Sequence, residues 1–170
     1  MFSPYIDMAM PVDADLVAIS HGLGHPELHA GLHAEPDHGI GWQGARRIAD
    51  DTLANGTTIL SQVQAIQAAG GHITISFGGA AGQEAALTAP SAAVLQAEYQ
   101  SVIDRYHITS IDLRHREARR SSISIRSRCA TRRSSDLQAA NPDLKVSFTL
   151  PVLPTGLDAS GLDRAAERQA

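Results

Sequence analysis

The sequence predicts an α/β fold made of βαβ units, and three observations support this prediction. β-rich runs recur along the chain, at 72–77, 108–113 and 144–150. Segments whose apolar residues follow helical spacing lie between these runs. The crossover from one run to the next takes on the order of 30 residues, which is typical of a helix that connects two parallel strands. Periodicity alone leaves two architectures open: an open doubly wound sheet, or part of a (β/α)8 TIM barrel.

Length and composition limit the class of protein. The chain has 170 residues, a net charge of −4 and 43% apolar residues, which is typical of one globular domain and excludes general disorder. No apolar run approaches the roughly 20 residues that span a bilayer, so we expect no membrane partner. The first five residues lack the basic and apolar regions of a signal peptide. A single cysteine, Cys129, excludes an internal disulfide framework and a multi-cysteine zinc site.

Two segments depart from this average composition. Eight of the 14 basic residues are arginines between Arg114 and Arg133. Five of the 8 histidines fall within 18 residues, at His21, His25, His29, His33 and His38. The histidine segment is also rich in glycine and proline, and neither segment has helical or strand periodicity. The sequence therefore predicts irregular structure near 21–44 and near 114–136.

The first half of the chain supplies two strands and a helix. Residues 2–10 form a short apolar stretch of β-forming residues, which is typical of a buried strand. After residue 50, Ile59, Val63 and Ile66 lie on one face of a predicted helix, and Gly70 provides a C-terminal stop. The run 72–77 is a strand that enters a tight turn at 78–79.

The second half supplies a longer helix and two more strands, at 108–113 and 144–150. Pro90 and Ser91 are typical of a helix start. The apolar side of this helix is predicted to contain Val94, Leu95, Val102, Ile103 and Tyr106.

Four pieces of the chain resemble successive strands of one family. Residues 2–8 resemble the first barrel strand of the bacterial family 18 glycoside hydrolases, the chitinases. Residues 71–79 resemble their third strand, which ends in a Ser-x-Gly-Gly signature. Residues 109–112 lie where the fourth strand carries the signature Asp-x-x-Asp-x-Asp-x-Glu, and 146–155 resemble the fifth strand. The resemblance implies a partial (β/α)8 TIM barrel, about strands 1–5, with residues 1–170 forming an incomplete family 18 catalytic domain.

The resemblance also implies a chemistry, the hydrolysis of β-1,4-N-acetylglucosamine linkages with retained configuration. The substrate's N-acetyl oxygen attacks the anomeric carbon, the last Glu of the signature protonates the leaving oxygen, and the preceding Asp orients the acetamido group. Asp112 then matches the inner, supporting Asp and is the surviving catalytic residue, whereas Arg114 stands at the orienting Asp and Arg116 at the acid Glu. Because arginine cannot donate a proton near neutral pH, we expect this chain to be inactive. Glu117 does not replace the acid, since one residue along a strand changes the face.

The remaining implications concern binding and location. The resemblance assigns substrate contacts to Tyr5, Ser76, Gly78 and Gly79, with Tyr5 either a core residue or a site-wall aromatic. It implies chitin or a chitooligosaccharide as the partner, with no cofactor, no metal and no nucleic acid. It also implies secretion, although the chain carries no export signal. Nothing in the sequence indicates an oligomeric state.

The two unusual segments suggest the hypothesis that they are read out of frame. The family signature commonly contains Phe-Asp-Ile-Glu, and codons for that stretch with one extra base give Leu-Arg-His-Arg, the residues found at 113–116. A one-base shift of codons chosen for 21–33 likewise gives a stretch that resembles the second barrel strand, for which the pattern offers no in-frame candidate. The tail 164–170 can be shifted into a helix-like stretch in the same way.

Other functions are compatible with these segments. The histidines at 21, 25, 29 and 33 could share a helical face as a metal site, but the intervening glycines and proline disfavour that helix. The arginine run could bind nucleic acid, yet it lacks aromatic residues for stacking. A non-catalytic carbohydrate-binding protein is the main alternative to a hydrolase. Trp42, the one tryptophan, could stack on a sugar ring, but nothing in the sequence supports that role.

Overall fold

The computed structural model describes residues 4–6, 15–24, 27–35, 39–42, 46–53, 55–78, 89–114, 135–150 and 152–157. No helix in these ranges is long and apolar enough to cross a membrane. In chain order the elements are β1 (Tyr5–Ile6), α1 (Leu16–Leu23), β2 (Glu27–Glu35), β3 (Gly39–Trp42), β4 (Arg46–Arg47), α2 (Ile59–Ala68), β5 (His72–Phe77), α3 (Ala92–Tyr106), β6 (Ser110–Arg114), α4 (135–140), β7 (Lys145–Thr149), β8 (Val152–Leu153) and β9 (Gly156–Leu157).

Five of the described strands form a parallel series in the order β1, β2, β5, β6, β7. One of the four helices lies in the chain between each pair of neighbours in this series. Parallel strands joined by helices in sequence order are the beginning of a (β/α)8 barrel, which confirms the predicted fold class. The register places Ser76, Asp112 and Ser147 in one row across β5, β6 and β7.

β3 and β4 form a small antiparallel hairpin. β3 pairs with the same edge of β2 as β1 does. β1 pairs in parallel with β2 at His29 and Ala30, whereas β3 pairs with β2 in antiparallel fashion from His33 to Glu35. β4 continues the hairpin by pairing with β3. This edge of β2 therefore has a parallel neighbour along its middle and an antiparallel one at its carboxyl end.

The expectation of irregular structure near 21–44 is wrong for most of that segment. Residues 21–23 complete α1, 27–35 form β2 and 39–42 form β3. β2 is the second strand of the parallel series, and it pairs with β5 over six residue pairs. Polar and apolar residues do alternate along 27–35, but five of its nine residues are alanine, glycine or glutamate, types that are depleted in strands and weaken the signal. In the second segment Arg114 ends β6 and 135–136 begin α4, while 115–134 lie outside the described residues.

α2 forms where the sequence predicts it, and its start is held by a capping box. The backbone N–H of Ser61 donates to Thr58 Oγ1 at 3.0 Å, and the backbone N–H of Thr58 donates to Ser61 Oγ at 3.3 Å. The predicted apolar face is buried in the core, at Ile59, Val63 and Ile66. Gly70 follows the helix with φ +79°, a left-handed conformation that ends helices readily.

α3 begins where the sequence predicts, but its buried face differs from the predicted one at Val94. Ser91 is the N-cap, and its hydroxyl accepts the backbone N–H of Val94 at 3.2 Å. The buried residues are Leu95, Tyr99, Val102, Ile103 and Tyr106. The side chain of Val94, placed on this face by the prediction, is 39% exposed. It lies about 100° around the helix from Leu95, which is enough to leave the core.

The two faces of the parallel sheet differ in chemistry. Ile73, Ile75 and Phe77 of β5 are buried in the hydrophobic core with Ile111 and Leu113 of β6. Burial of each such side chain stabilises the fold by about 1.5–3 kcal/mol relative to exposure. Because side chains alternate along a strand, the intervening residues lie on the opposite face, and these are polar. They include Thr74, Ser76, Ser110 and Asp112.

A buried polar network connects β3, α2 and α3. Trp42 Nε1 donates to the hydroxyl of Tyr106 at 2.7 Å, and that hydroxyl donates to Asp51 Oδ2 at 3.1 Å. Asp51 also accepts from the Arg105 guanidinium at 3.1 Å and from the backbone N–H of Leu60 at 2.9 Å, so it holds the first turn of α2. Burial raises the pKa of Tyr106 to about 12. Trp42 is 1% exposed and packs edge-on against Tyr106, so its ring has no exposed face on which a sugar could stack.

Candidate functional site

The candidate site centres on Asp112, in the middle of β6 on the polar face of the sheet. Its carboxylate accepts hydrogen bonds from three side-chain hydroxyl groups, which belong to the strands on either side. Oδ2 accepts from Ser76 Oγ of β5 and from Thr149 Oγ1 of β7, both at 2.9 Å. Oδ1 accepts from Ser147 Oγ of β7 at 3.0 Å. Asp112 thus connects three consecutive parallel strands, β5, β6 and β7, through side-chain hydrogen bonds.

Burial explains why this carboxylate has so many partners. Asp112 is 5% exposed and Ser76 is fully buried, so water does not solvate the charge freely. A buried carboxylate without hydrogen bonds would be strongly unfavourable, and three hydroxyl donors offset that cost. Ser147 and Thr149 lie at the solvent side of the same cluster and are exposed. The cluster therefore runs from the sheet interior to an accessible surface.

A second polar row lies one step towards the amino ends of the strands. Thr74 Oγ1 donates to Ser110 Oγ at 3.0 Å, and Ser110 is the register partner of Lys145. Tyr5 and Thr74 are both register partners of His29. The side chain of Tyr5 is 44% exposed, so of its two expected roles the core position is wrong.

The sequence-predicted site residues are only partly brought together. Ser76 and Asp112 are in direct contact, and Gly78 directly follows β5, buried and with φ +91°, where a side chain would be strained. Arg114 is the last residue of β6 and the register partner of Thr149. Gly79 and Arg116 lie outside the described residues.

Two members of the cluster, Ser147 and Thr149, are not among the residues that sequence reasoning selects. The signal that could have found them is the alternation of β7, where Val146 and Phe148 pack against the core and the intervening residues are polar. In a parallel sheet these polar positions lie on the same face as Asp112 of the adjacent strand.

The histidine series does not lie along one helix. His21 is in α1, whereas His29 and His33 are in β2, so the arrangement of four imidazoles on one helical face is wrong. Within the described ranges, no three His, Cys, Asp or Glu side chains are grouped so that they could hold a metal ion.

Comparison with curated proteins finds two chitinases. The protein named "Probable bifunctional chitinase/lysozyme" from Escherichia coli strain K12 is 23% identical across all of this chain, which corresponds to 19% of its own length. "Endochitinase 11" of Metarhizium anisopliae is also 23% identical across all of this chain, which covers 32% of it. This chain therefore spans a fifth to a third of the curated relatives it matches. No family model matches it.

Solved structures give the stronger likeness. The catalytic domain of the hyperthermophilic chitinase from Pyrococcus furiosus superposes with a TM-score of 0.81 and 25% identity, covering 99% of this chain and 53% of that chain. A family 18 chitinase from Pseudoalteromonas aurantia has a TM-score of 0.61 at 16% identity, over 86% of this chain and 54% of that chain, and shows the fold alone.

The parallel series of strands defines a fold of the TIM-barrel type. Within that class the chain is chitinase-like, with the fold of the family 18 chitinase catalytic domain over about half the length of that domain.

Proposed function

We propose that this chain binds β-1,4-linked N-acetylglucosamine polymers, chitin or chitooligosaccharides, at the polar face around Asp112. The carrying observation is the contact between Ser76 and Asp112, because the resemblance to family 18 places both residues at the sugar-binding end of the barrel. A second support is that the Pyrococcus furiosus domain has been crystallised with chito-oligosaccharides. By the same resemblance, the site of action would lie outside the cell.

The family activity is hydrolysis of these linkages, and we propose that this chain does not perform it. Arg116 stands at the position of the general acid, and a guanidinium has no proton to give near neutral pH. Arg114 stands where an aspartate would face the positive charge that develops on the substrate. A cation at that position would oppose the charge instead of stabilising it. Binding without turnover is the function that remains.

A non-catalytic carbohydrate-binding role is favoured over a bare loss of function by one observation. The Asp112 cluster is complete on the described strands, with all three hydroxyl donors in place. These groups support the proposal that a saccharide can still bind although the acid position is substituted.

The test uses purified full chain 1–170 in two assays. Chitin beads are expected to retain the chain, and a reducing-sugar assay on chitotetraose is expected to give no turnover. Turnover that is abolished by Asp112→Ala would overturn the proposed lack of catalysis. Failure of chitin beads to retain the chain would overturn the proposed binding function. Salt-sensitive nucleic-acid binding that is lost on deletion of 114–133 would favour the nucleic-acid alternative instead.

A further inference from the structure

The two asparagines of the chain differ in the residue that follows them. Asn55 precedes Gly56, and Asn141 precedes Pro142. A backbone nitrogen can attack the side-chain amide of a preceding asparagine and close a ring, provided that it carries a hydrogen and is not crowded by its own side chain. Glycine meets both conditions because it has no side chain, whereas proline has no backbone N–H. Of the two asparagines, Asn55 alone can therefore react in this way.

Asn55 and Gly56 lie in an exposed turn shortly before α2. Asn55, Gly56 and Thr57 are all exposed, so water and hydroxide reach the reacting atoms. The backbone N–H of Gly56 donates to the backbone oxygen of Leu53 at 3.0 Å. Ring closure requires this hydrogen bond to open, and exposed turns open at a small cost in free energy. The turn thus makes both the nucleophile and its target accessible.

Thr57 prepares the side-chain amide of Asn55 for attack. Asn55 Oδ1 accepts the backbone N–H of Thr57 at 2.9 Å and the hydroxyl of Thr57 at 2.7 Å. Gln62 Nε2 donates to the same hydroxyl at 3.2 Å, which keeps the hydroxyl hydrogen directed at Asn55. Two donors on one carbonyl oxygen stabilise the negative charge that develops there when a nucleophile adds. The arrangement is that of an oxyanion hole.

We propose that Asn55 is a site of spontaneous deamidation, with Gly56 as the nucleophile and Thr57 as the oxyanion donor. The backbone nitrogen of Gly56 bonds to Cγ of Asn55 and gives its proton to solvent. The bond from Cγ to Nδ2 then breaks, and Nδ2 takes up a proton and leaves as ammonia. Water opens the cyclic imide at either carbonyl, which gives aspartate or isoaspartate at position 55. Each conversion consumes one water molecule, releases one ammonia and adds one negative charge.

The experiment incubates the full chain at mildly alkaline pH and maps its peptides by mass spectrometry. Asn55 is expected to convert progressively to both aspartate and isoaspartate, whereas Asn141 stays unchanged as the internal control. The rate should rise with pH, because the attacking nitrogen must lose its proton. Conversion of Asn55 no faster than that of Asn141 would overturn the proposal. Aspartate without isoaspartate would also overturn it, since direct hydrolysis of the amide gives aspartate alone.

A second set of variants tests the role of Thr57. Thr57→Val removes the hydroxyl donor and should slow the conversion about three- to tenfold, the effect of one hydrogen bond, while Thr57→Ser keeps the wild-type rate. Thr52→Val, at another exposed threonine before α2, is the matched control and should leave the rate unchanged. Urea unfolding midpoints check that each variant is folded. An unchanged rate in Thr57→Val, or equal slowing in Thr57→Ser, would exclude the hydroxyl as an oxyanion donor.

Discussion

The hydroxyl of Ser76 donates to the carboxylate of Asp112 at 2.9 Å, across two neighbouring parallel strands and a separation of 36 residues. Both residues are buried, so the lost partner cannot be replaced easily by water. Ser76→Ala is expected to lower the free energy of unfolding by about 1–3 kcal/mol, the cost of an unsatisfied buried acceptor. Urea denaturation followed by circular dichroism measures this difference.

Ser101→Ala is the control for that substitution. Ser101 is exposed on α3, and its hydroxyl donates to the backbone oxygen of Glu98 in the same helix. We expect a change within about 0.5 kcal/mol, typical of a surface position. Equal losses for the two serine variants would show that the contact with Asp112 carries no special stability.

Asp51 is predicted to be the more sensitive of two adjacent aspartates. Asp51→Ala removes the acceptor for Arg105, Tyr106 and the first turn of α2, and should cost about 2 kcal/mol or more. Its neighbour Asp50 is exposed, so Asp50→Ala should change the free energy of unfolding by less than about 0.5 kcal/mol. Thermal unfolding of both variants under one buffer condition provides the comparison, and similar losses would contradict the role given to the network.

The raised pKa of Tyr106 predicts a loss of stability at high pH. The folded-state pKa is about 12 and the unperturbed value is about 10, so the folded chain keeps this proton longer than the unfolded chain. The resulting stabilisation is fully present below about pH 10 and is lost as the pH rises through about 12. Over that window it can change the free energy of unfolding by up to about 1.4 kcal/mol per pH unit.

Tyr106→Phe separates this contribution from that of other groups. The variant has no phenol to titrate, so its free energy of unfolding should fall less steeply between pH 10 and 12 than that of the wild type. Urea unfolding at half-unit pH steps gives both slopes. Parallel slopes would mean that Tyr106 titrates alike in the folded and unfolded chains.

The reading-frame hypothesis predicts a nucleotide sequence. The codons for Leu113 to Arg116 should read Phe-Asp-Ile-Glu when shifted by one base, and a compensating shift should lie shortly before residue 137. Sequencing the gene through this region decides the matter directly. Codons that cannot be shifted into that stretch would exclude the hypothesis for this segment.

The sequence predicts the helices and strands whose formation depends on residues close together in the chain. The helix start at Ser91, the apolar face of α2 and the strand 72–77 each depend on residues close together in the chain, so the sequence contains enough information to place them. β2 was not predicted because its identity depends on pairing with β1 and β5, which are distant in sequence. Polar and apolar residues alternate along β2, but its alanines and its one glycine are types depleted in strands, so the local signal is weak and tertiary pairing selects the strand.

Part of the candidate site, Ser76 and Asp112, could be predicted from the sequence, and the rest could not. Family resemblance places Asp112 and Ser76 together, and the structure brings them into contact. Ser147 and Thr149 required the register between β6 and β7, because their hydroxyls approach Asp112 from residues 35 and 37 positions away. The burial of Trp42 could not be predicted for a similar reason, since it depends on contact with Tyr106, which is 64 positions away.

The central place of β5 has a consequence for how the sheet opens. Its six residues pair with β2 along one edge, and its carboxyl half pairs with β6 along the other. Because the N–H groups of successive residues in a parallel strand bond to opposite neighbours, the amides of 75–77 become accessible together only when both β2 and β6 separate from β5. Their native-state hydrogen exchange is expected to require disruption of the whole parallel series, so the exchange rate of these amides measures the global free energy of unfolding.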